Sequence, residues 1–397
     1  MQIYLVGGAV RDMLLGLPVT DKDFVVVGGN QNTMLSHGFR QVGADFPVFL
    51  HPDTHNEYAL ARLERKSGTG HRAFCIDANE SVRLQDDLLR RDLTINALAI
   101  QVQGLNDDTP IDGTVVDFYG GLADLHNKIL RHVSPAFSED PLRVLRVARF
   151  YARLSPLGFV IDDTTCTLMT DIASRGELAT LSRERIWAEF ARALMQPHGH
   201  QFISCLQDNE ILLHILPTLA QTFTDNNSYA AVLARLQHAC KQNAPLDVRF
   251  AMLFSNLYNN KDNLNDCLTR LNAPKAISQF VHAFANYHKI LLNLENINAE
   301  QLLTMIEHTK AHKDDALLML LYDACQIYQD KSIAYKKSWL NDAITRYQSV
   351  SMANINPTLT GKAIGDELTR LRLLQLTKFL QSSKHTHIAP NQGIQPS

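Results

Sequence analysis

The chain has 397 residues, of which 45% are hydrophobic and 20% charged, with a net charge of −3 and a pI near 6.6. That is globular composition with material for two or three domains, and it argues against a nonspecific polyanion binder, so an RNA partner would have to meet local basic stripes. No apolar run reaches the roughly 18 residues of a membrane span, no signal-peptide pattern precedes the strand-like Gln2–Val6, and six scattered cysteines form no Cys-x-x-Cys pair, so a cytoplasmic location and no membrane partner are expected.

Apolar runs at Ile3–Val6, Phe24–Val27, Phe46–Leu50 and Tyr58–Ala61 predict strands. The first leads into Gly7-Gly8-Ala9-Val10-Arg11-Asp12. Two glycines at a strand-to-helix turn let the backbone approach a ligand, and the following helix offers free N–H groups to a phosphate that Arg11 would also reach. Read plainly, the same residues are only a turn, and they match neither a Walker loop nor a dinucleotide fingerprint.

Thr20-Asp21-Lys22-Asp23 opens the second strand. Residues i and i+2 of a strand share a face, so Asp21 and Asp23 project together. Two neighbouring carboxylates repel unless a cation sits between them, and oxygen ligands of this kind suit Mg²⁺. Glu57, at the start of the Glu57–Arg62 run, is either a third carboxylate or an exposed strand-start acid. Residues 63–80 lack a clear period and are expected to be a mobile loop.

A helix is predicted from about Val82 into Arg90-Arg91-Asp92, followed by Leu93-Thr94-Ile95-Asn96. Asp86 with Arg90 and Asp87 with Arg91 are spaced as surface ion pairs. In the functional reading Arg91 contacts a triphosphate, while Asp92 and Asn96 meet a ribose 2′-OH. A hairpin covers roughly 101–119.

Beyond Pro135 the period becomes 3.6, predicting helices over 138–380 with breaks at Pro156, Pro197, Pro217, Pro245 and Pro274. Glu139-Asp140-Pro141-Leu142-Arg143 begins the first, with Asp140 as N-cap and Pro141 at the first helical position. Arg143, Arg146, Arg149 and Arg153 then form one stripe opposite Val144, Val147, Tyr151 and Leu154. Without interleaved acids, that stripe is expected to face an anion rather than bulk solvent. His308-x-x-x-His312 has helical ligand spacing but no third ligand, so no metal is expected there. The polar tail from Ser382 is expected to be disordered.

Taken together, these motifs resemble the class II tRNA nucleotidyltransferases, the CCA-adding enzymes, and the related bacterial poly(A) polymerases. The resemblance extends through Leu181-Ser182-x-Glu184-Arg185-Ile186-Trp187-x-Glu189, with a later echo at Gly361-Lys362-Ala363-Ile364-Gly365-Asp366-Glu367. It implies an α+β fold: a polymerase-β-like catalytic head (1–137), a helical neck (138–220), a helical body and tail that bind tRNA (221–381), and a disordered end (382–397). It implies Mg²⁺ on Asp21 and Asp23, triphosphate contacts from Gly8, Arg11 and Arg91, and a ribose contact from Asp92. Asp140 and Arg143 would read the base, with Arg146 nearby. The implied reaction adds C, C and A to the 3′ end of tRNA from CTP and ATP, without a template and without DNA. Some relatives carry a His-Asp phosphohydrolase module; here Ser255-Asn256 stand where its His-Asp pair would be, so that activity is not expected. Alternatives are a poly(A) polymerase, a partial CC- or A-adding enzyme, and a noncatalytic tRNA-binding protein, against which the Asp21/Asp23 pair argues.

Overall fold

Ile3–Val6 and Leu98–Ile100 are apolar at every position, a pattern suited to strands covered on both faces. They lie at the centre of a mixed seven-stranded sheet in the computed structural model, which describes residues 1–42, 48–66, 74–77, 80–104, 113–329 and 337–386. The strands are β1 (Gln2–Val6), β2 (Asp23–Val27), β3 (Arg40–Val42), β4 (Val48–Leu50), β5 (Glu57–Leu60), β6 (Leu63–Lys66), β7 (Phe74–Asp77), β8 (Leu98–Val102) and β9 (Val115–Asp117). The sheet runs β3-β4-β5-β2-β1-β8-β9, and β6 and β7 form a separate antiparallel pair.

Four helices accompany the sheet: α1 (Gly8–Leu14), α2 (Gln31–Ser36), α3 (Leu84–Leu88) and α4 (Gly121–Asn127). Side-chain alternation divides the core. Leu5, Phe24, Val26, Phe49 and Tyr58 pack with Val10 of α1 and Met34 of α2 on one face. Tyr4, Val6, Val25, Ala97 and Ala99 pack with Leu84 and Leu88 of α3 on the other.

A short parallel pair, β10 (Ile129–Leu130) and β11 (Val160–Ile161), flanks α5 (Leu142–Leu154). Then follow α6 (Asp163–Ser174), α7 (Arg183–Leu194), α8 (His200–Asp208), α9 (Leu212–Ile215) and α10 (Pro217–Thr222). The buried stripe of α5, with Val144, Val147, Ala148 and Leu154, is packed against α7 and α8. Residues Met1–Thr224 and Asp266–Asn272 make one compact unit.

The second unit, Asp225–Asn265 with Ala273–Ser397, is helical throughout its described residues. It contains α11 (Asn226–Lys241), α12 (Leu246–Leu253), the first half of α13 (Lys261–Arg270), α14 (Lys275–Leu291), α15 (Ala299–His308), α16 (Ala316–Gln329), α17 (Lys337–Gln348) and α18 (Lys362–Thr386). Pro217 opens α10, while Pro245 and Pro274 stand just before α12 and α14, where a missing N–H costs nothing.

Several sequence expectations change. The edge strand β3 carries no apolar alternation to announce it. The strand expected from Phe46 is seen from Val48, with Phe46 and Pro47 outside the described residues. Within the span 63–80, expected to be a loop, Leu63–Lys66 and Phe74–Asp77 form the paired strands β6 and β7, and 67–73 and 78–79 lie outside the described residues. The helix expected into Asp92 stops at Leu88. The tail expected to be irregular from Ser382 is helical to Thr386, and 387–397 lie outside the described residues.

Candidate active site

Asp23 is the first residue of β2, beside Val6 of β1 and Glu57 of β5. Alternation places it with Val25 and Val27, on the face covered by α3. The same register puts Glu57 on that face next to it. Asp21 precedes the strand by two residues, so the expected strand geometry holds for one carboxylate and the other comes from the approach to it. Both are exposed. Surrounding protein nevertheless raises the Asp23 carboxyl above the usual carboxylate range; Arg91 opposes that rise, Asp21 adds to it, and Arg146 opposes it. Partial loss of hydration beside the surrounding protein is the leading cause, although the side chain keeps solvent-exposed surface, and the neighbouring acid works in the same direction. A pair of exposed carboxylates with this unfavourable charge fits a hard divalent cation, which takes one or two protein carboxylates and leaves its other positions to phosphate and water. Glu57 is the neighbour of Asp23 in the sheet; among the described residues no cluster of three His, Cys, Asp or Glu is assembled to hold a metal.

The turn beside these acids depends on glycine. Gly7 has φ 72°, a left-handed conformation that disfavours a side chain. A Cβ there would also lie 2.7 Å from Nη1 of Arg91. Gly7 donates its N–H to Leu98 O, and its own O accepts from Arg11 N, which starts α1 at Gly8. Arg91 thus lies against the glycine turn, 3.6 Å from Asp87, with a buried Nε that makes no hydrogen bond. The companion spacing expected for Asp86 and Arg90 is not used: Asp86 pairs with Arg83, and Arg90 with Glu139.

Arg11 turns inward. It is 1% exposed, donates from Nε to Asp12 at 2.9 Å and from Nη1 to Asn96 at 2.6 Å, and lies over the Phe150 ring. Asn96 donates to Asp92 Oδ1 at 2.9 Å, and Arg146 Nε donates to Asp92 Oδ2 at 2.7 Å. Arg153 closes the other end on Asp12 Oδ2 at 2.8 Å. The chain Arg153–Asp12–Arg11–Asn96–Asp92–Arg146 therefore begins and ends on α5. Burial alone would raise the Asp92 carboxyl, but Arg146, the Asn96 hydrogen bond and Arg143 outweigh it and hold the group well below the usual range. The phosphate contact expected of Arg11 and the ribose contact expected of Asp92 would each have to compete with these bonds.

The arginine stripe of α5 is balanced by partners from other elements. Each of its arginines has a protein partner, while Arg146 and Arg153 keep about a third of their side chains exposed. Arg146 pairs with Asp92, Arg149 with Glu189 and Arg153 with Asp12, while Arg143 donates to Ala136 O at 2.6 Å. The acids that balance the stripe come from α1, from the turn after α3 and from α7, not from α5 itself. Asp140 does cap α5: its Oδ1 accepts from Leu142 N at 3.1 Å, and Oδ2 accepts from Arg185 at 2.9 Å. Sequence reasoning assigned no role to Asp12, Arg185 or Glu189. All three sit inside the motifs that carried the resemblance, which was the only signal available.

In the second unit, Ser255 accepts from Arg235 and Asn256 donates to Ser228 O, both local packing contacts. His308 ends α15 and shares a hydrogen bond with Tyr287 OH, whereas His312 lies beyond the helix against Tyr347. Arg372 of α18 stacks over the Tyr347 ring, 4.3 Å from its centre.

Two family models match the chain. "Poly A polymerase head domain" covers residues 3–131, and "Probable RNA and SrmB- binding site of polymerase A" covers residues 158–223. The CCA-adding enzyme of Pseudomonas putida (strain W619) is 41% identical over 97% of this chain and 100% of that protein. The Multifunctional CCA protein of Acinetobacter baumannii (strain AYE) is 52% identical over 65% of this chain and 62% of that protein. A solved structure described as "The structure of CCA-adding enzyme apo form II" shares the fold at a TM-score of 0.64 and 20% identity, covering 98% of this chain and 92% of that one. No helix among the described residues is long and apolar enough to cross a membrane. The chain belongs to the nucleotidyltransferase family of class II CCA-adding enzymes and poly(A) polymerases.

Proposed function

We propose that this chain adds C, C and A to the 3′ end of tRNA from CTP and ATP. The observation that carries the chemistry is the exposed Asp21/Asp23 pair at the mouth of β2, beside a glycine turn against which Arg91 is packed. The relationship over the whole length to a CCA-adding enzyme supports the tRNA substrate over a general RNA end. The mild net charge of −3 supports it too, because a polymerase acting on arbitrary RNA depends more on bulk positive charge. Free cysteines and the substrate support a cytoplasmic setting.

Asp21 and Asp23 are the residues that would hold Mg²⁺. When bound, the ion supplies charge neutralisation at the triphosphate and makes the terminal RNA hydroxyl a better nucleophile. Gly8 lets the backbone approach phosphate oxygens, and Arg91, packed into the space beside Gly7, places a positive charge on the same turn. Asp140 and Arg143 are the residues that would read the base: a carboxylate suits the amino group of cytosine or adenine, and a guanidinium, released from Ala136 O, suits the adjacent acceptors. Arg11 and Asp92, spent on internal bonds, support the site by holding α1 and Arg146 in place.

The test is incorporation on tRNA lacking its last three nucleotides, with each triphosphate supplied alone and in sequence. The expected result is use of CTP and then ATP, stopping after A. Homopolymeric A tails on unrelated RNA would replace this reading with a poly(A) polymerase. Since Ser255 and Asn256 offer neither an imidazole nor a carboxylate, the same preparation should neither open 2′,3′-cyclic nucleotides to monophosphates nor release phosphate from phosphomonoesters with Ni²⁺, Mn²⁺ or Co²⁺ present.

A further inference from the structure

The carboxylate of Asp140 is held from two directions. Its Oδ1 accepts from Leu142 N at 3.1 Å, which commits that oxygen to the first turn of α5. Its Oδ2 accepts from Nη2 of Arg185 at 2.9 Å. The residue before it, Glu139, is tied to Arg90, so the backbone of the turn is anchored as well. Arg185 comes from the first turn of α7, forty-five positions away in sequence. Both side chains are about a quarter exposed, 23% for Arg185 and 26% for Asp140. The remaining Nη1 of Arg185 is buried and has no hydrogen-bond partner. The bond to Asp140 is thus what fixes the Arg185 guanidinium, and the two groups orient each other.

From this geometry we infer that Arg185 is a positioning residue for base selection, acting through Asp140. The inference rests on the reading of Asp140 as the group that meets the base amino function. A carboxylate has about four lone-pair directions. The cap takes one and Arg185 takes another, so those left are fixed in direction and available to a donor on an incoming base. A capped carboxylate without its arginine keeps one hydrogen bond but turns about it. It then meets a uracil or guanine carbonyl less unfavourably and a cytosine or adenine amino group less well, because selectivity depends on polar groups held where the wrong partner leaves them unpaired. Arg185 itself touches no base in this scheme.

The experiment measures single-nucleotide incorporation on truncated tRNA with CTP, ATP, UTP and GTP for Arg185→Ala, Arg185→Lys, Asp140→Ala and the Asp140→Ala/Arg185→Ala double variant. Thermal melting of each variant reports on the fold. The expected result is that Arg185→Ala reduces the preference for CTP over UTP by about tenfold or more while Arg185→Lys, which keeps the charge, retains most of it. The double variant should be no less selective than Asp140→Ala alone, since two residues acting through one group are not additive. Loss of preference in Asp140→Ala with full preference in Arg185→Ala would overturn the role of Arg185 and leave that of Asp140 standing. Full preference in Asp140→Ala would remove the base-reading role first, and this inference with it. A further loss in the double variant beyond Asp140→Ala would show that Arg185 acts independently and also overturn the proposal. Should Arg185→Ala fail to fold, Arg185→Lys against Arg185→Gln, which lacks the charge, makes the same comparison.

Discussion

The two compact units of this chain bury different things. In the first, the acids Asp12, Asp92, Asp124 and Glu189 are all buried, and three of them are bound to arginines of α5 that lie 141, 54 and 40 positions away. In the second, none of the carboxylates among the described residues is buried; the buried polar side chains are Arg249, Ser255, His288 and Thr309, and the interior is apolar, with Phe250, Phe254, Phe280 and Phe284 packed among leucines, valines and isoleucines. A buried carboxylate is costly unless paired, and apolar residues of the same shape often serve stability as well. Stability alone therefore does not account for the first unit. Its buried charges lie where α1, the turn after α3 and α5 must be held around Asp23, whereas the second unit holds its shape by packing.

The largest effect separating the units is expected at the carboxylate pair. Asp21→Ala or Asp23→Ala should lower transfer by roughly 10³-fold or more, since losing a metal ligand forfeits several kcal/mol of transition-state stabilisation. Melting temperature and tRNA affinity should stay near wild type, because both side chains are exposed. Transfer within a few-fold of wild type in either variant would remove the metal-holding role.

A second pair of substitutions tests the buried charges against the buried rings. Asp12→Ala leaves Arg11 and Arg153 without their acid, and breaking a buried pair in this way costs about 3–5 kcal/mol. Phe284→Ala removes a ring that is fully buried in the second unit, with a similar cost of about 3–5 kcal/mol. Urea unfolding measures both. The two should differ in chemistry: Asp12→Ala disturbs the bonded run that ends on Arg146, so its folded fraction should also transfer more slowly, while the folded fraction of Phe284→Ala should keep its single-nucleotide rate. Equal rates in the two variants would mean that the buried network serves the fold only.

The strands around Asp23 were legible because their apolar runs and the neighbouring glycines are local signals. So were the cap of α5 by Asp140 and the helical nature of nearly everything after Pro135. The pairing of the α5 arginines was not legible. An acid-free stripe reads as an anion site when only the helix is in view, and its partners Asp12, Asp92 and Glu189 reach it only through the fold. The placement of Glu57 beside Asp23 was open for the same reason: nothing in the sequence states that β2 and β5 are parallel neighbours in that register. The helix before Arg91 was read too long because its acid–arginine spacing imitates helical pairing, yet the backbone leaves the helix at Leu88 so that Arg91 can lie against Gly7.

The smallest expected effect concerns two carboxylates of the first unit whose acidities move in opposite directions. Asp92 is held below the usual range. Its ionised form is favoured by folding, so its contribution is fully present above the unfolded carboxylate value of about 3.9 and is lost as pH falls through the lower folded value. Asp23 is raised. Ionising it opposes folding, so its cost is absent below the ordinary value and is fully felt once pH has risen past the raised one. Asp23→Asn should therefore melt slightly above wild type at neutral pH, with the difference shrinking as pH is lowered toward the ordinary carboxylate range. The gain is small because Asp23 is exposed and its charge is screened by water. Added Mg²⁺ should reverse the order, stabilising the wild type by binding the folded carboxylates while leaving Asp23→Asn nearly unchanged. Melting curves over pH, with and without Mg²⁺, measure both signs. An Asp23→Asn variant that is less stable than wild type at neutral pH without metal would show that Asp23 belongs with the paired acids of the network rather than with a carboxylate kept ready for a cation.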